Sequence, residues 1–201
     1  MPDYRQEVET QKKESFKKGG ILYSAEFMKK HFKLPPLDEI HEANFDFYSE
    51  QSYGAVEEEK QERERNEEPP MTEAEEQEFR WKIEEEVSNR VFKLYVNAAE
   101  EALNHVLGQH HLNAEYFEGN WLVKPESGKT WKDAAEQIME TMNGVGMFYA
   151  PSLKEFYEQT SVKSFKELVM THIHWAAYYP ELYGTARIER IFEESFDFRY
   201  L

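Results

Sequence analysis

Cysteine is absent from the 201-residue chain. This absence excludes disulfides, thiolate zinc sites and cysteine nucleophiles, and it is consistent with a reducing compartment. Long apolar runs are also missing, and the first residues, Met1 to Glu7, lack the pattern of a secretory signal. We therefore expect a soluble protein with no membrane partner, located in the cytoplasm, or in a virion if the protein is viral.

Basic side chains are few compared with acidic ones. The chain has 24 Lys+Arg against 40 Asp+Glu, which gives a net charge of −16. Such a surface repels nucleic acid and anionic membranes. We expect no direct nucleic-acid partner, but an acidic chain can itself imitate DNA. An inhibitor or DNA mimic that binds a basic DNA-handling protein is therefore one alternative.

Motifs for covalent catalysis or nucleotide binding are incomplete. No Gly-x-Ser-x-Gly motif occurs, and Ser24, Ser152 and Ser164 fall at expected helix starts, where N-capping explains them. Residues 126–130 end like a phosphate loop, but Val123 occupies the position of the first required glycine. The sequence predicts no catalytic residue and no cofactor, and we do not expect an enzyme.

Histidine and glutamate could still form a metal site if two helices pack together. The histidines considered are His105, His110 and His111 near the end of a long helix, and His172 and His174 on a later one. Glu101 lies one turn before His105. No Glu-x-x-His pair occurs, and residues two apart on a helix point in different directions. We predict no metal and keep a helical metalloenzyme with a Glu/His site as a second alternative.

The most regular stretch of the sequence is one long helix. Thr72 and Glu75 have the spacing of a capping box, and no proline or glycine follows until Gly108. The pattern predicts a helix over about 73–107, roughly 50 Å long at 1.5 Å per residue.

The two halves of this helix differ in their apolar residues. From 91 to 107 they cover more than half of the circumference, which is typical of a helix inside a core. From 73 to 90 they form only a narrow stripe of Phe79, Ile83 and Val87 among glutamates. We expect this half to project and to contact one partner. The steps of mostly four residues do not favour a heptad coiled coil.

The rest of residues 71–201 predicts a mainly α-helical domain built on the long helix. A small β-hairpin is possible near 116–123, with a turn at Gly119-Asn120. Thr130 with Asp133 and Ser164 with Glu167 have the spacing of helix starts. Residues 1–70 lack enough apolar residues for a core and predict an extended, partly helical, charged arm or linker.

Aromatic and other apolar residues outside the expected core are candidate partner contacts. In the arm these are Met28, Phe32, Phe45, Phe47, Tyr48 and Tyr53. On the long helix they are Phe79 and Trp81, and in the glycine-rich loop after residue 143 they are Met147, Phe148 and Tyr149.

These features favour a non-enzymatic structural subunit of a larger protein assembly, for which a viral or bacteriophage particle is one candidate. The expected partners are other protein subunits, and a homo-oligomer is possible. The N-terminal arm and the projecting half of the long helix are the predicted docking elements.

Overall fold

A computed structural model describes residues 19–144, 154–155, 158, 164–175 and 185–196. The chain folds as two units. The first contains the described residues up to Pro35 and those from Ala98 to Ser195, and the second contains Pro36 to Asn97 together with Phe196. The described residues of the predicted arm, 19–70, are thus distributed over both units.

The described chain is mainly helical with a small antiparallel sheet, which confirms the predicted fold class. The helices are α1 (Ala25–Phe32), α2 (Leu37–Ala43), α3 (Phe45–Arg65), α4 (Glu73–Leu107), α5 (Trp131–Gly144), α6 (Phe165–Trp175) and α7 (Thr185–Ser195). The strands are β1 (Ile21–Ser24), β2 (Leu112–Phe117) and β3 (Asn120–Pro125). Within the described residues, no helix is long and apolar enough to cross a membrane.

Helix α4 has the predicted bounds and the predicted start. The Thr72 backbone N–H donates to Glu75 Oε2 at 2.7 Å, and the Glu75 N–H donates to Thr72 Oγ1 at 3.3 Å. These reciprocal bonds form a capping box. The bonds that the Thr72 N–H and hydroxyl donate to the Glu75 carboxylate lower the pKa of this carboxyl. The corresponding bonds between Thr130 and Asp133 precede α5.

The predicted hairpin is present as β2 and β3, joined by a two-residue turn at Glu118 and Gly119. Both turn residues have positive φ, 47° and 79°, as in a type I′ turn. The expected turn at Gly119-Asn120 is one residue too late, because Asn120 already pairs with Phe117.

A third strand, β1, pairs with the other side of β3 and was not predicted. It directly follows Gly20, where an added Cβ would lie 2.6 Å from Leu122 Cδ1. Only glycine allows this close approach of the chain to β3.

Side chains of α4 cover the outer edge of β2. Asn104 accepts from the Ala114 N–H at 2.7 Å and donates to the Ala114 carbonyl at 3.2 Å. One turn earlier on α4, Glu100 accepts from the Tyr116 N–H at 3.0 Å. Three backbone groups that this edge strand would expose, the N–H and carbonyl of Ala114 and the N–H of Tyr116, are therefore bonded within the same chain.

The core of the first unit lies around β3 and the C-terminal end of α4. Its largest fully buried side chains include Met28, Phe32, Leu34, Leu103, Leu107, Leu112, Trp121, Leu122, Ile138 and Ile173. Met28 and Phe32 were predicted as partner contacts, and their burial corrects that interpretation. Because Met28 and Phe32 are four residues apart, they lie on one face of α1, and this face packs into the core.

The second unit contains an antiparallel pair of helices, α3 and the N-terminal half of α4. Residue numbers rise along α3 as they fall along α4 in the contacts Ser52–Glu84, Tyr53–Arg80 and Lys60–Glu76. The apolar cluster of this unit is formed by Tyr48, Val87 and Val91, against which Ile40, Phe47, Ile83 and Phe196 pack.

This pairing accounts for the narrow stripe on the first half of α4. The sequence predicted that the stripe meets one partner, and in the structure Ile83 and Val87 of the stripe pack in one cluster with side chains of α3 of the same chain. Residues 45–53, predicted within an extended arm, belong to a continuous 21-residue helix. Tyr48, predicted as a partner contact, lies inside the pair, because Tyr48, Ser52 and Val56 recur every four residues and are buried.

Candidate partner-binding surface

Charged pairs join α3 and α4 close to the loop between them. Lys60 Nζ lies 3.0 Å from Glu76 Oε2, and Arg63 Nη1 lies 3.8 Å from Glu75 Oε1. The hydrogen bond with Glu76 raises the pKa of Lys60. Such exposed pairs stabilise little individually, but they align the two helices and so fix the residues between them.

Tyr53 and Arg80 form a preorganised pair on the side of these helices. The Arg80 guanidinium carbon lies 4.2 Å from the centre of the Tyr53 ring, and Arg80 Nη1 lies 3.4 Å from the Tyr53 hydroxyl. Tyr53 is nevertheless 55% exposed. A cation–π contact restricts the rotamers of both side chains, so a partner would meet an aromatic ring that is already oriented.

Trp81 follows Arg80 and is 62% exposed. Its helical neighbours three and four residues away include Glu78, Glu84 and Glu85. Glu84 accepts a hydrogen bond from Ser52 Oγ at 3.1 Å. Glu78 and Glu85 are exposed, and neither forms an ion pair with any residue that the structure describes. We call Tyr53, Glu78, Arg80, Trp81 and Glu85 the aromatic surface.

Further aromatic side chains are exposed on the same unit. Phe45, at the start of α3, is 67% exposed, and Phe92 is 37% exposed. Phe92 follows Trp81 by eleven residues, which is close to three helical turns, so both lie on one side of α4.

The residues predicted to bind a partner thus divide by exposure. Phe45, Tyr53 and Trp81 are exposed, Phe47 and Phe79 are half-buried, and Met28, Phe32 and Tyr48 are buried. Met147, Phe148 and Tyr149 lie outside the described residues. The sequence interpretation missed Arg80, which links Tyr53 to the neighbourhood of Trp81. Only the antiparallel pairing of α3 with α4 could have indicated this contact.

The role of Tyr48 is structural. Its hydroxyl lies 2.7 Å from His41 Nδ1, which joins α2 to α3 within the second unit. Burial lowers the pKa of His41, although the nearby Asp38 carboxylate acts in the opposite direction. Together with its apolar neighbours Val87 and Val91, this bond explains why Tyr48 faces inwards.

Two of the histidines considered for a metal site meet in the first unit. The rings of His110 and His172 are both buried and pack edge to face, with 5.3 Å between their centres. His111 Nδ1 lies 3.6 Å from Glu126 Oε2, and His105 is exposed. Among the described residues no group of three His, Asp or Glu side chains is arranged to hold a metal ion.

Comparison with known proteins identifies no family: no family model matches the chain, and none of the curated proteins or solved structures compared with it is similar. The chemistry of the exposed side chains is therefore the basis for inferring the function.

Proposed function

We propose that the protein is a non-enzymatic subunit of a larger protein assembly and docks through the aromatic surface of α3 and α4. The observation that carries the proposal is the exposure of Trp81, at 62%, beside a Tyr53 ring held in place by Arg80. Trp, Tyr and Arg are the residues that most often dominate the binding energy of protein interfaces.

The free energy available from this surface is large enough for an anchor. Burying the exposed part of a tryptophan on a partner contributes roughly 2 to 4 kcal/mol at about 25 cal/mol per Å². Tyr53 adds a second ring, whose rotamer is already restricted by Arg80. Preorganisation of this kind reduces the entropic cost of binding.

Charge indicates which class of partner suits the surface. Residues 36–97 contain 19 Asp+Glu against 7 Lys+Arg, so they carry a net charge of −12 out of the −16 of the whole chain. A field of this sign accelerates association with basic proteins and opposes association with nucleic acid.

The experiment compares the size of the assembly formed by the full chain and by a Trp81→Glu variant, each tagged and expressed in the native cells. Sedimentation should place the wild-type chain in a complex larger than its 24.0 kDa mass, and the variant close to that mass. The purified chain alone, measured by sedimentation velocity, separates a homo-oligomer from a mixed assembly.

The matched control is Met170→Glu on α6, because Met170 is also an exposed apolar residue, at 38%. This variant should sediment like the wild type. A wild-type chain that is monomeric in cells, or a complex that Trp81→Glu leaves intact, would contradict the proposal.

A second candidate function is inhibition of a basic DNA-handling protein by mimicry of DNA. The net charge of −12 over residues 36–97 favours it. Under this alternative, affinity for the partner falls steeply with salt concentration, and Trp81→Glu, which adds negative charge, does not weaken binding. Loss of binding in Trp81→Glu supports the first proposal instead.

A further inference from the structure

The aromatic surface already holds one guanidinium group. Arg80 lies against the Tyr53 ring with 4.2 Å between the guanidinium carbon and the ring centre, although both residues come from the same chain. Tyrosine is a weaker partner for a cation than tryptophan. The adjacent Trp81 ring is 62% exposed and contacts no aromatic ring or cationic group among the described residues.

Glutamates stand next to this tryptophan along the helix. Glu78 precedes Trp81 by three residues and Glu85 follows it by four, and such neighbours have Cβ atoms roughly 5 to 6 Å apart. Both carboxylates are exposed and form no ion pair within the described part of the chain. A cation over the Trp81 ring would therefore have carboxylate oxygens within reach.

Helix geometry turns Tyr53 and Trp81 to the same side. Tyr53 follows the inward-facing Ser52 by one residue, and Trp81 follows Arg80, which faces α3, by one residue. One residue is a rotation of about 100°. Because α3 and α4 are both right-handed and run antiparallel, equal rotations along the two sequences lead to the same side of the pair.

We propose that the aromatic surface binds an arginine-bearing segment of the partner protein, with a guanidinium stacked on Trp81 and paired with Glu78 and Glu85. This inference rests on the proposed docking function and names the chemistry of the partner. Charge complementarity favours it over an uncharged apolar partner, since residues 36–97 carry a net charge of −12.

The test uses the full chain and a capped peptide in which three arginines alternate with glycines. Binding is followed by NMR through the indole N–H signals of the four tryptophans, with the Trp81 signal assigned from a Trp81→Leu variant. The Trp81 signal should shift and saturate, whereas that of the fully buried Trp121 should not move. The same peptide with citrulline, the uncharged isostere of arginine, should bind at least about tenfold more weakly.

Variants separate a defined site from general attraction to an acidic protein. The Glu78→Gln/Glu85→Gln variant should weaken peptide binding about three- to tenfold, and Trp81→Leu, in which binding is measured by titration calorimetry, by a similar factor. The control is Glu58→Gln/Glu62→Gln, which removes the same charge from exposed positions on the other side of α3. It should change the affinity by less than about twofold, as expected for a screened charge away from the site.

Equal binding of the citrulline peptide would overturn the inference, and so would an equal loss of affinity in the control variant. Failure of the arginine inference can be distinguished from failure of the proposed docking function. If Trp81→Glu releases the protein from its assembly while the arginine peptide fails to bind, docking stands and the arginine inference falls. If the peptide binds as described while Trp81→Glu leaves the assembly intact, the peptide site stands and the docking function falls.

Discussion

Two buried histidines, His110 and His172, hold no charge at neutral pH. Burial lowers the pKa of His110 to about 4 and that of His172 to about 3. Charge repulsion from His111 also lowers the pKa of His110, and charge repulsion from His110 also lowers the pKa of His172. Both rings are almost fully enclosed, with 3% and 4% of their surfaces exposed. The pair therefore packs as an aromatic contact, and protonation works against the folded state.

We expect the free energy of unfolding to decrease as the pH falls below about 6.5, the ordinary pKa of histidine in the unfolded chain. Between that value and about pH 4, the unfolded state binds protons that the folded state does not. The slope amounts to at most about 1.4 kcal/mol per pH unit for each histidine. Urea unfolding measured at a series of pH values gives this slope.

Variants assign the slope to the pair. In His172→Gln the decrease between pH 6.5 and 4 should be smaller by the share of one histidine, whereas replacement of the exposed His105 by glutamine should leave the slope unchanged. An unchanged slope in His172→Gln, or a smaller slope in His105→Gln, would refute the assignment.

At the scale of secondary-structure elements, the hydrogen bonds from α4 side chains to the outer edge of β2 make a measurable contribution to the free energy of unfolding. Asn104 makes two hydrogen bonds to the backbone of Ala114, at 2.7 and 3.2 Å. Asn104→Ala leaves the amide and the carbonyl of Ala114 without these bonds. We expect a loss of about 1 to 3 kcal/mol in the free energy of unfolding. Urea denaturation of the full chain measures this loss.

Asn97 serves as the control for this substitution. It lies on the same helix but is exposed, so Asn97→Ala should change stability by less than about 0.5 kcal/mol. Equal effects of the two substitutions would mean that the bonds to Ala114 do not stabilise the strand edge. Increased aggregation of Asn104→Ala alone would support the interpretation that Asn104 also prevents edge-to-edge pairing.

Elements specified by local sequence were predictable, and elements that depend on distant partners were not. The start of α4 at Thr72 and that of α5 at Thr130 follow from side-chain bonds to backbone three residues away. By contrast, β1 has four residues and is a strand only because it pairs with β3, about a hundred residues later. Helix α3 likewise depends on the apolar stripe of α4.

The candidate surface was predictable to the same extent. Trp81 stands out in the sequence because it lies off the apolar stripe, and the structure exposes it. Met28 and Phe32 are likewise apolar residues in a charged segment, as an exposed interface residue would be. Only the packing of α1 reveals that they are core residues. Single aromatics in a charged segment therefore do not by themselves separate interface residues from core residues.

At the scale of the whole molecule, charge is distributed unequally between the two units. Residues 36–97 carry 19 acidic and 7 basic side chains, whereas residues 1–35 and 98–195 carry 20 and 16. Repulsion among the glutamates of α3 and α4 lowers the stability of the second unit, and salt screens this repulsion. The ion pairs between the helices are partly exposed, and such pairs stabilise little individually.

We therefore expect hydrogen exchange of α3 amides to become slower when NaCl is raised from about 10 to about 200 mM, a range over which the Debye length shortens from about 30 to below 10 Å. The amides of β3 in the first unit should change less and serve as the internal reference. Faster exchange in α3 at high salt would mean that the ion pairs of Lys60 and Arg63 outweigh the repulsion.

The pairing of β1 with β3 also constrains the order of events during translation. Ile21 pairs with Val123, so at roughly 5 to 20 residues per second the first strand emerges from the ribosome about 5 to 20 s before its partner. The α3–α4 pair can form in that interval, since helices and short loops close in microseconds. Until β3 is synthesised, β1 has no strand beside it, and in this period a nascent chain would benefit most from a chaperone.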